Sequence, residues 1–161
     1  MDSTLVEMFR HNLWANLRLL DACSTLTPEQ LEAETEGTYG RIQNTLVHLL
    51  AAEGHYVTLL TGVKPERPLS DRDPLPDIDV LRQYAENSGK MLIEIAQEDP
   101  YETTLKVAYQ GEDHDLRAVV PLVQAIHHAN EHRTHVVTIL SQLGQEPPEL
   151  SVWAYDDETS R

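Results

Sequence analysis

Residues 125–144 read AIHHANEHRTHVVTILSQLG, and four of the chain's eight histidines fall between positions 127 and 135. At about 100° per residue, Leu122, Ala125, Ile126, Ala129, Val136, Leu140 and Leu143 line up on one side of a helix. The pattern predicts a helix over residues 118–143, stopped by Gly144 and by the Glu-Pro-Pro that follows. His128, His132, His135 and Ile139 form a ridge at i, i+4, i+7 and i+11 along one flank of that stripe. His127 points to the polar side.

Outward from this segment the period changes. In TTLKVAYQGEDHDLRAV (103–119), Leu105, Val107 and Tyr109 alternate and QGED offers a turn, which reads as a short β-hairpin. Leu81, Tyr84, Ala85, Met91, Leu92 and Ile95 predict a helix over 79–97, capped by Asp77 or Asp79. It follows a connector too rich in proline (Pro65, Pro68, Pro74, Pro76) for regular structure. RIQNTLVHLLAAEGHYVTLLT (41–61) is the most apolar helix and stops at Gly62. Thr27-Pro28-Glu29-Gln30 opens a short helix, with Thr27 as N-cap and Gln30 closing a capping box. Leu5, Met8, Phe9, Leu13, Leu17 and Leu20 predict a first helix over 3–24. Four long helices with connections of mixed length predict an all-α four-helix bundle, with a hairpin before the last helix, in a single domain over 1–161.

Composition narrows the partners. A formal charge of −15, from 27 acidic and 12 basic residues, leaves no basic stripe for phosphates, so neither nucleic acid nor an anionic membrane is expected as partner. No apolar run is long enough to span a bilayer, and the first 20 residues lack the basic and apolar regions of a signal peptide. The single Cys23 excludes an intrachain disulfide, in keeping with a reducing cytoplasm. A protein handling small molecules, metal or other proteins is expected.

Histidines at i and i+4 on a helix carry Cβ atoms ~6 Å apart and can converge on one ion. His128 and His132 meet that condition, and His132 with His135 is a competing i, i+3 pair. His135 lies about 10 Å along the axis from His128, too far for one ion to hold all three. HANEH is not the zincin pattern, because Glu131 precedes the second histidine and faces elsewhere. No Glu-x-x-His of the di-iron bundles occurs either. A third ligand must come from another element. His48, among Leu46, Val47, Leu49 and Leu50, is either that ligand or a hydrogen-bonded boundary histidine. Glu53 sits near the centre of the same helix's apolar stripe. It could orient a ligand imidazole, or be a buried partner for Arg41, Arg133 or a tyrosine hydroxyl. His55 reads as a bystander, and His11 and His114 have no ligand-like spacing.

Taken in order, these segments resemble the DinB/YfiT-like metal-dependent bundle proteins. NLWANLRLLD (12–21), with Trp14 and Asn16, is similar to the family's opening helix. TPEQL followed by GRIQNTLVHLLAAEGHYVTLLTG is similar to its second segment, with Thr-Leu-x-His-Leu and a Glu five residues after the His. AIHHANEHRTHVVTILSQLG is similar to its last helix, with His-x-x-x-His-Arg and a final Leu-Gly before proline. The resemblance implies an up-down-down-up bundle, frequent homodimers, and a divalent metal held by His48, His128 and His132. Where relatives commonly have His-Arg-Gly-Gln, this chain has His-Arg-Thr-His, which sets His135 beside the metal ligands.

Three protein ligands leave a coordination position for water or substrate. The resemblance implies activation of a low-molecular-weight thiol, such as bacillithiol or mycothiol, for S-transfer to an electrophile. Glu53 and His135 are the candidate acid–base or orienting groups. Zinc is the expected ion, with nickel, iron or manganese as alternatives that histidine also suits. The other readings are a metal- or ligand-binding dimer without turnover, and a structural metal tying two helices together.

Overall fold

In the computed structural model, which describes residues 3–70 and 74–160, the N-terminal helix α1 spans Thr4–Cys23. Ser3 caps it, its hydroxyl accepting from the Val6 amide. The short α2 (Pro28–Leu31) carries the expected capping box, with Thr27 and Gln30 exchanging backbone–side-chain hydrogen bonds. The third helix, α3 (Ile42–Thr61), ends where Gly62 turns left-handed at φ 74°. Next comes α4 (Ile78–Gln97), then a single 3-10 turn at Pro100–Glu102. Antiparallel β1 (Thr104–Tyr109) and β2 (Glu112–Arg117) pair with Tyr109 opposite Glu112. Gln110 and Gly111, both at positive φ (53° and 84°), form the two-residue turn that matches strand twist. Leu105 and Val107 alternate as expected, half-buried between exposed neighbours; the Tyr109 side chain lies outside the described residues. The longest helix, α5 (Val119–Gln142), precedes α6 (Val152–Thr159).

The four long helices α1, α3, α4 and α5 form the bundle. α1 packs chiefly on α4 and also on α5, and α3 packs on both α5 and α4. Two close approaches need glycine. A Cβ on Gly54 would lie 1.9 Å from the Tyr84 hydroxyl of α4, and one on Gly89 would lie 2.7 Å from the Leu13 side chain of α1.

The apolar core is divided. One cluster gathers Leu19, Leu20, Ile42, Leu46, Leu50, Leu81, Ile139 and Leu140, and another gathers Phe9, Val57, Leu92, Leu122 and Ala125. Each fully buried Leu or Phe contributes ~1.5–3 kcal/mol, so these clusters supply most of the drive to fold. In sequence, the gap between them falls at Asn12 and Asn16 of α1 and at Glu53 of α3, and Arg133 of α5, between Ala129 and Val136 of the first cluster, reaches both asparagines; all four are buried. A polar layer thus crosses the bundle between two apolar ones.

Three sequence expectations are corrected. The inward face of α1 is Val6, Phe9, Asn12, Ala15, Asn16, Leu19 and Leu20, whereas Met8 is 45% exposed and Leu5, Leu13 and Leu17 are half-buried. Large apolar residues alone mislead there, because the polar layer turns two asparagines inward. On α5, Ile139 joins the core, while Ile126 and Leu143 are half-buried. The helix α6 was not expected, since it buries no residue of its own and so carries little apolar periodicity. Ser151 caps it through the Ala154 amide, and it docks on α1 by an Arg18–Glu158 ion pair and the Trp14–Tyr155 ring contact. His11 holds the approach to α6, its Nε2 lying 2.9 Å from the Leu150 carbonyl. Among the described residues, no helix is long and apolar enough to cross a membrane.

Candidate metal centre

Because α3 packs against α5, a residue on the facing edge of α3 can reach one helical turn of α5. His48 occupies that edge and meets His128 and His132. One ligand-capable atom from each of the three lies within 4.8 Å of the other two. The His48 and His128 Nε2 atoms are 3.1 Å apart, and the ring centroids of His128 and His132 are 4.3 Å apart. Two nitrogens bound to one tetrahedral zinc at 2.0–2.1 Å stand ~3.3 Å from each other, so the His48–His128 spacing already approximates a shared ion. His132 is buried, and its Nδ1 has no hydrogen-bond partner among the described residues. A buried ring nitrogen without a partner is costly unless something else engages it.

Electrostatics disfavours a proton on the two α5 rings. Burial first, then the neighbouring His128, His48 and His135, pushes the His132 imidazole down to about 4. His128 is lowered chiefly by burial and next by His48. Three imidazoles converging from two helices, where the α5 pair disfavours a proton, are a donor set suited to a borderline divalent ion. Among the described residues, no fourth His, Cys, Asp or Glu joins the group. The residues present therefore fit such an ion, with a position left for a small ligand.

The sequence-predicted residues sort as follows. His128 and His132 are the pair brought to His48, and His135 stands outside that group. Its ring centroid is 5.3 Å from that of His132, and its Nδ1 is buried with no hydrogen-bond partner among the described residues. His127, His55, His114 and Glu131 are exposed. Glu53 is fully buried in the polar layer, where its oxygens accept from Asn12 Nδ2 at 3.4 Å and Asn16 Nδ2 at 2.9 Å. Arg133 Nη1 donates to the Oδ1 atoms of both asparagines, at 2.7 Å each. Of the alternatives open for Glu53, the geometry matches a buried counter-charge for Arg133, relayed by two amides. Desolvation raises the Glu53 carboxyl to about 7, against the pull of the Arg133 charge and the Asn16 hydrogen bond.

Sequence reasoning missed Asn12 and Tyr39. Two asparagines at i and i+4 on an otherwise apolar face were the available signal for a buried polar partner. Tyr39 lies in the turn before α3, stacked on His48 with ring centroids 4.1 Å apart. A cavity of about 1020 Å³ opens between α3, α4 and the proline-rich connector, but none of the three histidines lines it.

The family model described as the DinB family matches residues 1–161, and the chain belongs to that family. A crystal structure of a DinB-like protein from Bacillus cereus ATCC 10987 is similar in fold, with a TM-score of 0.68 at 19% identity over 90% of this chain and 94% of that one. No curated protein matches the chain.

Proposed function

We propose that this member of the DinB family binds one divalent ion through His48, His128 and His132, and transfers a low-molecular-weight thiol of the bacillithiol or mycothiol kind to an electrophile. The observation that carries the reading is the convergence of three imidazoles with no fourth protein ligand among the described residues. An ion bound there supplies Lewis acidity that brings a thiol's pKa toward neutrality. Zinc is the first choice, and nickel, iron or manganese also suit imidazole.

The sulfur has to come from outside the chain. Cys23, the single cysteine, is fully buried, and burial pushes its thiol up to about 12. It is therefore protonated and shielded. His135, with its unengaged buried nitrogen beside His132, is the group we assign to take the thiol proton. Glu53 acts at one remove, holding Arg133 and with it the turn of α5 that carries His132.

Metal analysis of the purified protein should find about one divalent ion per chain, and His132→Ala should lose it. A wild type without stoichiometric metal, or a His132→Ala variant that retains it, removes the site. Monochlorobimane offered with a panel of thiols should then be conjugated by the metal-loaded protein, slowly or not at all by His135→Ala with its metal intact. If no physiological thiol is conjugated, the reading becomes a homodimeric binder without turnover. Exposed Met8 and the exposed Val120 and Val123 of α5 are apolar surface such a dimer could cover.

A further inference from the structure

Glu36-Gly37-Thr38-Tyr39-Gly40-Arg41 turns the chain into α3, and the turn is built to present one side chain. Gly37 and Gly40 bracket it at φ 85° and 150°, conformations that side chains rarely adopt. Thr38 fastens the turn, its hydroxyl donating to the Thr35 carbonyl at 2.8 Å. Tyr39 is 45% exposed, yet both its ring and its hydroxyl are committed to the histidine cluster. The ring lies nearly parallel to His48, at 18°, and meets His132 edge-on with centroids 5.0 Å apart. The Oη atom is 3.0 Å from His48 Nδ1.

We propose that Tyr39 is a positioning residue that fixes the tautomer and plane of the His48 ring, so that its Nε2 faces His128 and His132 as a ligand. This rests on the reading of the three histidines as a metal site. Two proton arrangements satisfy the observed chain of contacts. In one, Tyr39 donates to His48 Nδ1, and His48 Nε2–H donates to His128 Nε2; that Nε2 has no lone pair to offer. In the other, His48 Nδ1–H donates to the Tyr39 oxygen, and His48 Nε2 keeps its lone pair toward His128. Only the second leaves His48 Nε2 a lone pair for an ion, His128 Nε2–H donating to it until an ion takes that proton's place, and it requires the Tyr39 oxygen as acceptor for the Nδ1 proton. Stacking then holds the ring in plane, and the phenol proton stays free to point outward.

The test uses the full chain and Zn²⁺ or Co²⁺ as probe, with wild type, Tyr39→Phe and His132→Ala compared by chelator competition. Tyr39→Phe keeps the stack and loses the acceptor, and it should weaken metal affinity ~10–100-fold with an unchanged melting midpoint in the metal-free protein. In the metal-free state, ¹⁵N-resolved imidazole spectra should show His48 as the Nδ1–H tautomer in wild type and as a mixture in Tyr39→Phe. If His132→Ala loses metal while Tyr39→Phe binds like wild type with an unchanged His48 tautomer, the role given to Tyr39 is wrong and the metal site stands. Should His132→Ala bind like wild type, both readings fall together.

Discussion

Two polar clusters share α3 and α5, where His132 and Arg133 are consecutive residues, and they are built on opposite rules. In the layer of Asn12, Asn16, Glu53 and Arg133, donors meet acceptors: the guanidinium feeds both amide oxygens, and both amide nitrogens feed the carboxylate. In the cluster of His48, His128 and His132, like faces like. Ring nitrogens approach to 3.1 Å, the neighbouring imidazoles discourage a proton on His128 and His132, and the buried Nδ1 of His132 has no partner among the described residues. A closed network contributes its energy to the fold, whereas the buried His132 Nδ1 leaves a bond still to be made. The two differ in what they hold: one holds α1, α3 and α5 together, and the other gathers three imidazoles that could hold a metal ion.

The largest effect should come from opening the closed network. Arg133→Met leaves Glu53 buried with its counter-charge gone, and should cost about 3–5 kcal/mol in urea denaturation. A loss under ~1 kcal/mol would mean that the layer is not the tie described here.

A smaller effect should appear in pH dependence. Glu53 titrates near 4.5 when unfolded and is raised to about 7 in the fold, chiefly by desolvation. The folded state therefore binds more protons across that window. Stability from this group is fully present below pH 4.5 and is lost as the pH rises through about 7. Relative to Glu53→Gln, wild type should weaken by up to ~1.4 kcal/mol per pH unit over that interval and then level off. The difference between the two proteins cancels the histidines' own titration. A flat difference would show that Arg133 holds the carboxylate charged throughout.

These two clusters were not equally legible in the sequence. The histidines were, because i, i+4 spacing on a helix is a local property and His48 stood out against its apolar neighbours. The closed layer was half-legible. Glu53 and Arg133 were visible as charges near buried faces, but pairing them requires knowing that α1 packs beside both α4 and α5, and that Asn12 and Asn16 point inward. An asparagine weighs little in an apolar stripe, so periodicity put Met8 inside instead. Tyr39 was hidden for a related reason: a turn has no period, and what Tyr39 stacks on is set by tertiary folding. The hairpin, the α2 capping box and the ends of α3 and α5 were legible because glycine and proline chemistry fixes them residue by residue.

The smallest effect on stability should come from the histidine cluster. In the metal-free protein, His132→Ala removes packing from a buried position, which costs stability. It also removes a buried ring nitrogen whose lack of a partner costs ~1–3 kcal/mol, and it replaces histidine by a better helix former. These terms oppose each other, so the change should stay within about 1 kcal/mol by urea denaturation. In the presence of zinc, the same substitution should abolish the rise in melting midpoint that the ion gives wild type. A loss of several kcal/mol without metal would break the comparison, because the triad would then be part of the fold's own framework. A small loss without metal and a large one with it is the signature of a site whose stabilisation is supplied by its ligand.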